Sequence, residues 1–146
     1  MELKTILYAE DNPKDAELTL EALLENNLAN NVIHVRDGVE TLEYLRREGK
    51  YKDRNPGNPA VLLLDIKMPR MDGLEVLREI RNDASLKMLP VVMLTSSREE
   101  QDLIKSYELG VNAYVVKPVE FNDFVESVKH IGVFWALINE LSPHLK

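Results

Sequence analysis

The hydrophobic positions follow two rhythms that alternate along the chain. Thr5–Ala9, Asn31–Val35, Ala60–Leu64, Val91–Thr95 and Ala113–Val116 are short runs rich in Val, Ile and Leu, the pattern of strands buried on both faces. Between them lie stretches of helical periodicity, Pro13–Asn26, Gly38–Arg47, Leu74–Asn82 and Arg98–Leu109, and a fifth runs from Phe121 to Leu141. Asp37-Gly38 and Asp72-Gly73 have the chemistry of helix entries, and Gly110 stands where a helix stop belongs. Five β–α units in strict alternation predict an α/β fold, a doubly wound parallel sheet with helices on both faces. Right-handed crossovers leave few topologies for such a chain.

Length and composition narrow the function classes. The 146 residues suit one domain spanning 1–146, and the absence of cysteine excludes disulfides and thiolate metal sites. Eighteen basic against 25 acidic residues leave a net charge of −7, so the basic footprint of a nucleic-acid-binding domain is missing. No apolar run is long enough for a membrane span, and Met1–Ala9 lacks a signal-peptide layout. The expectation is a cytoplasmic domain with no nucleic-acid or membrane partner. The Pro- and Gly-rich stretch Gly49–Pro59 precedes the third strand. It therefore enters at the sheet edge opposite the one where sites form in such folds, and reads as surface decoration.

The informative residues stand where strands finish. The first strand runs into Glu10-Asp11, the third into Asp65, the fourth ends in Thr95 and the fifth runs into Lys117-Pro118. A parallel sheet brings all of these to one edge. Glu10-Asp11 also suits a plain helix cap, because acids favour helix N-termini. Asp65, after the apolar run Val61–Leu64, has no such simple explanation. Three crowded carboxylates raise one another's pKa unless a cation neutralises them. Oxygen-only ligands suit a hard ion, Mg²⁺ best of all. With a cation present, the Asp65 carboxylate is usable as a nucleophile toward phosphorus. Lys117 and the Thr95 hydroxyl would supply donors for the phosphoryl oxygens.

Four segments in order, Ala9-Glu10-Asp11-Asn12-Pro13, Leu64-Asp65-Ile66-Lys67-Met68-Pro69-Arg70-Met71-Asp72-Gly73, Leu94-Thr95-Ser96-Ser97 and Tyr114-Val115-Val116-Lys117-Pro118, resemble the receiver domain of two-component response regulators. The resemblance runs from the first strand to the fifth helix. It implies a flavodoxin-like sheet of order 2-1-3-4-5, with Asp65 as phosphoacceptor for a histidine kinase. Asp11, Asp65 and the backbone carbonyl of Lys67 would bind Mg²⁺ directly, and Glu10, where many members have Asp, would hold a metal-bound water. Thr95 and Lys117 would contact the phosphoryl group, and the Lys117–Pro118 bond would be cis. Thr95 and Tyr114 would form the switch, the hydroxyl moving inward and the ring following. Lys67 and Ser97, each two residues past a key position, would influence aspartyl-phosphate lifetime.

The fifth helix is longer than a receiver sheet needs. Phe121, Phe124, Val125, Val128, Ile131 and Trp135 form one stripe at helical spacing, suited to covering the sheet. Val133, Phe134, Leu137 and Leu141 cluster roughly opposite, and an apolar face of that kind marks association. This predicts a homodimer through the last helix, with 133–146 as helix extension and tail. The long final helix, the adjacent Phe134-Trp135 and the longer loop before the third strand are similar to single-domain receivers paired with bacterial phytochromes. Twenty-nine residues follow Lys117, so output is expected through protein contact. His34, His130 and His144 have no ligand spacing, and Glu17, Glu21 and Glu25 read as a solvated stripe that could also meet a basic partner.

Rival functions make distinct demands. An aspartyl-nucleophile phosphatase is expected to carry a second acid two residues after the nucleophile, where this chain has Lys67. A flavodoxin-like electron carrier needs a hydroxyl- and Gly-rich phosphate loop, and Glu10-Asp11-Asn12-Pro13 would repel a flavin phosphate. A degenerate receiver-like module used only for protein binding would not need the full acidic set.

Overall fold

The computed structural model describes residues 5–25, 31–101 and 110–130. Among the described residues five strands form one parallel sheet: β1 Thr5–Ala9, β2 Asn31–Val35, β3 Val61–Asp65, β4 Val91–Thr95 and β5 Ala113–Val116. Their order is β2-β1-β3-β4-β5, the flavodoxin-like receiver arrangement. The helices are α1 Pro13–Glu25, α2 Gly38–Arg46 and α3 Gly73–Arg81, then α4, of which the opening turn 98–101 is described, and α5 Phe121–His130. The rest of the helix expected to run to Leu109, and the extension of α5 beyond His130, lie outside the described residues.

Three elements differ from expectation: α3 runs Gly73–Arg81 rather than Leu74–Asn82, and the other two differ for physical reasons. The third strand is shifted one residue onward and ends with Asp65 inside the ladder, because Asp65 pairs with Leu94 of β4 whatever its side chain. Helix α2 stops at Arg46. Arg47 takes a left-handed backbone (φ 58°) and its N–H bonds back to the Glu43 and Tyr44 carbonyls, closing the last turn. The helix entries follow side-chain chemistry: Asp37 caps α2 by accepting the Glu40 N–H, and Asp72 with Glu75 forms a reciprocal capping box on α3.

Strand alternation divides the core between the two faces of the sheet. Leu7, Ala9, Leu62, Leu64, Val91 and Met93 pack with Leu42, Leu45, Leu74, Leu77 and Ile80 of α2 and α3. Ile6, Tyr8, Val61, Leu63, Val92 and Leu94 pack with Ala16 and Leu23 of α1 and with Phe124 and Val128 of α5. The central strands β1, β3 and β4 are buried throughout. The expected burial on both faces fails at the edge strand β5, where Val116 is exposed, since an edge strand has a sheet neighbour on one side only. Within α5, Phe124 and Val128 are fully buried while Phe121 and Val125 pack at the margin. The Gly49–Pro59 stretch is fastened down. Arg54 stacks 4.1 Å over the Tyr44 ring, and its Nε donates to the Tyr44 carbonyl at 2.7 Å near the end of α2.

Candidate functional site

The carboxyl ends of β1, β3 and β5 carry the site. Two residues past Ala9 the chain must turn into α1, and the cap is Asn12, whose Oδ1 accepts the Lys14 and Asp15 backbone N–H groups at 2.9 and 3.1 Å. Helix capping therefore leaves Glu10 and Asp11 available for other chemistry. Glu10 is 1% exposed; its Oε2 accepts the Asn12 N–H at 3.2 Å, and its Oε1 faces the Lys117 ammonium at 3.1 Å. Asp11 is exposed beside it. Oxygens of Glu10, Asp11 and Asp65 lie within 4.8 Å of one another.

Lys117 stands just past β5, held by its N–H to the Thr95 carbonyl at 2.8 Å; the Lys117–Pro118 peptide is cis. Its Nζ lies 3.0 Å from Asp15 Oδ2, 3.1 Å from Glu10 Oε1 and 3.2 Å from Asp65 Oδ1. Burial works against this charge, but the Asp15 hydrogen bond and the Asp65 and Glu10 carboxylates outweigh it and hold the ammonium pKa above its ordinary value. The Asp65 carboxyl is also pushed up, to about 7, first by burial and then by the Glu10 charge, with Lys117 opposing both. The cluster is thus short of positive charge.

The loop after Asp65 is tightly located. The Ile66 N–H donates to Asp65 Oδ1 at 3.0 Å, and the Gly73 N–H to the Ile66 carbonyl at 2.7 Å. A Cβ on Gly73 would collide with the Asp65 carbonyl, and one on Gly38 with Met71, so glycine lets α3 and α2 start against this loop. Arg70 forks onto Asp37, with Nε and Nη2 bonds of 3.0 and 3.1 Å. Lys67 is exposed in this loop, its ammonium 3.7 Å from Glu100.

Thr95 is fully buried at the end of β4, and Gln101 Nε2 donates to its hydroxyl at 3.4 Å. Tyr114 pairs with Met93, and residues two apart on a strand share a face, so Tyr114 and Thr95 lie on the same side of the sheet. Tyr114 is partly buried, and desolvation raises its phenol pKa. The dimer candidates Val133, Phe134, Leu137 and Leu141 lie outside the described residues.

Two residues without a role in the sequence reading, Asp15 and Tyr8, and one that it set aside, His34, support the site. Asp15, in the first turn of α1, shares the Lys117 ammonium. Tyr8 is buried behind Glu10, its hydroxyl 3.5 Å from Glu10 Oε1 and 3.4 Å from the Asp15 carbonyl, and burial raises its pKa. His34 stacks on Tyr8 at 5.4 Å, and its Nε2 lies 2.8 Å from the Glu10 carbonyl oxygen. That oxygen can only accept, so the proton is on Nε2. Strand period points from Glu10 back to Tyr8, and Tyr8 is the register partner of His34. Asp15 had no comparable signal.

Comparison with known proteins supplies the family. The response regulator receiver domain model matches residues 6–129. The response regulator Rcp1 of Synechocystis sp. is 40% identical over 132 residues, 90% of this chain and 88% of that protein. A structure of the Mn(2+)-bound form of response regulator Rcp1 superposes with a TM-score of 0.71 at 38% identity, covering 95% of this chain and 97% of that one. The bacteriophytochrome response regulator AtBRR is 60% identical, with a TM-score of 0.90 over 96% of this chain and all of that one. The phosphorylated cyanobacterial phytochrome response regulator RcpA is 42% identical, with a TM-score of 0.73 over 92% of this chain and 94% of that one. The sheet order, the acids at the strand ends and these matches agree: the chain belongs to the response regulator receiver domain family.

Proposed function

We propose that the chain is a receiver in which Asp65 accepts a phosphoryl group from a histidine kinase, with a phytochrome kinase as the input. The observation that carries this reading is the convergence of the Glu10, Asp11 and Asp65 carboxylates within 4.8 Å, with the Lys117 ammonium 3.2 Å from Asp65. In the transfer, an Asp65 carboxylate oxygen bonds to phosphorus. The P–N bond of the kinase phosphohistidine breaks, and the imidazole leaves with its electron pair. Lys117 and the Thr95 hydroxyl receive the phosphoryl oxygens, which needs positioning and charge neutralisation rather than further covalent chemistry. Catalysis extends to the chain's own phosphorylation and dephosphorylation.

The donor set suits a divalent cation. It offers only hard oxygens, close together and short of compensating charge. Asp11, Asp65 and the Lys67 carbonyl would hold Mg²⁺, with Glu10 acting through a water. Bound there, the ion supplies charge neutralisation for the carboxylates and the phosphoryl oxygens. Support comes from the Mn(2+)-bound form of Rcp1. The phosphorylated form of RcpA supports acceptance of the phosphoryl group.

Output runs from Thr95 to Tyr114, which share a face of the sheet, and then through contact with another protein. We read residues 1–146 as one receiver unit, cytoplasmic, with a homodimer formed by Val133, Phe134, Leu137 and Leu141 on the extended last helix. No helix among the described residues is long and apolar enough to cross a membrane. The test is intact mass after incubation with Mg²⁺ and a small phosphodonor. One added phosphoryl group, absent in Asp65→Asn, is the expected result; no adduct on the wild type overturns the reading.

A further inference from the structure

Glu100 sits in the opening turn of α4 with its side chain 14% exposed. Its Oε1 accepts the Ser96 backbone N–H at 2.7 Å and the Ser96 hydroxyl at 3.1 Å, and its Oε2 lies 3.7 Å from the Lys67 ammonium. Ser96 directly follows Thr95, and Lys67 lies two residues after Asp65, on loops leaving neighbouring strands. The carboxylate therefore ties together the two loops that flank the acceptor. Helix capping accounts for only part of this. Ser97 Oγ accepts the Glu100 N–H at 3.2 Å, as in a capping box, but the return bond of a capping box would go to the Ser97 N–H. It goes instead to Ser96, and the same carboxylate reaches across to Lys67.

We propose that Glu100 is a resident anion beside the Asp65 site, one that occupies the Ser96 and Lys67 donors until the phosphoryl group displaces it. The proposal rests on Asp65 being the acceptor. A phosphoryl group brings about two negative charges and three acceptor oxygens to the same edge. It offers Lys67 and Ser96 a stronger partner and repels Glu100. Release of Glu100 loosens the 98–101 turn, which is also tied to Thr95 through Gln101 at 3.4 Å. Charge arriving at Asp65 is thus passed to α4 by two adjacent routes.

The test follows adduct mass against time on the full chain with Mg²⁺ and acetyl phosphate. The Asp65 oxygen bonds to phosphorus, the acyl P–O bond breaks, and acetate leaves with the electron pair. Glu100→Gln keeps an oxygen for Ser96 while removing the charge. It should speed adduct formation about threefold to tenfold, the worth of one like charge at a partly exposed site. Glu99→Gln, the same charge change at the exposed neighbour, should stay below about twofold on the same electrostatic argument. A Glu100→Gln rate equal to or below wild type, or an equal effect from Glu99→Gln, overturns the proposal while leaving the Asp65 reading intact. An adduct that persists in Asp65→Asn overturns both. A measurement free of any variant is the carboxyl ¹³C resonance of Glu100 in the wild type. It should shift on phosphoryl loading while that of Glu99 holds, and a stationary Glu100 signal overturns the proposal.

Discussion

Replacing Asp65 by Asn probes the electrostatics of the site through stability, independently of any phosphodonor. Burial and the Glu10 charge raise the Asp65 pKa from the ordinary 3.8 to about 7. The folded protein therefore holds this proton more tightly than the unfolded chain does. The stability contributed by the protonated form is complete below pH 3.8 and is lost as pH rises through 7. A displacement of that size corresponds to about 4 kcal/mol above pH 7, at about 1.4 kcal/mol per pH unit. Between pH 5 and pH 8 the penalty grows by about 2–3 kcal/mol. Asn carries no charge to bury, but it loses the ion pair to Lys117 at 3.2 Å, so only part of the penalty is recovered. Urea unfolding in EDTA, followed by far-UV circular dichroism, should show Asp65→Asn gaining about 1–3 kcal/mol on wild type at pH 8 and clearly less at pH 5. Adding Mg²⁺ should then stabilise the wild type more than the variant, since a ligand that binds only the folded state shifts the equilibrium toward it. A stability difference between the two proteins that is identical at pH 5 and pH 8 would refute the reasoning.

Other perturbations separate the roles of neighbouring residues. Lys117→Met leaves the buried Glu10 and Asp65 carboxylates without their shared ammonium, and should destabilise the metal-free protein by about 3 kcal/mol in urea unfolding; it should also abolish the phosphoryl adduct seen by mass. Tyr114→Ala should leave adduct formation near normal while weakening capture of the output partner, so loss of the adduct would contradict its assignment to the switch. Leu137→Asp should shift the chain from dimer to monomer in sedimentation velocity, and a wild type that is monomeric at high concentration, with and without a phosphoryl mimic, refutes the last-helix interface.

Much of the architecture was legible in residue order because its causes are local. Asp37 and Asp72 announce helix starts through their side-chain oxygens, and both cap as their sequence context predicts. The strands β1, β3 and β4 are short apolar runs because helices cover both of their faces. Strict alternation of strand and helix then forces every strand to end on the same side. Glu10, Asp65, Thr95 and Lys117 could be placed on one edge without knowing which strand neighbours which. The order of the strands was not legible from periodicity; it came from the family resemblance, because helical crossovers of one hand still permit several orders.

The partners of the charges were decided by tertiary contact alone. Lys117 meets Glu10 and Asp65 from 107 and 52 residues away, and no spacing rule reaches across such separations. Glu10-Asp11 had two readings, cap or ligand, until Asn12 was found to do the capping. Asp15 carries no signal in the sequence, yet it holds the ammonium that the other two carboxylates share. Glu100 reaches Lys67 only because β3 and β4 are neighbours. A sequence records which groups exist and which edge they reach; distance and burial set the Asp65 pKa and the placement of Lys117, and both depend on the chain's being folded around them.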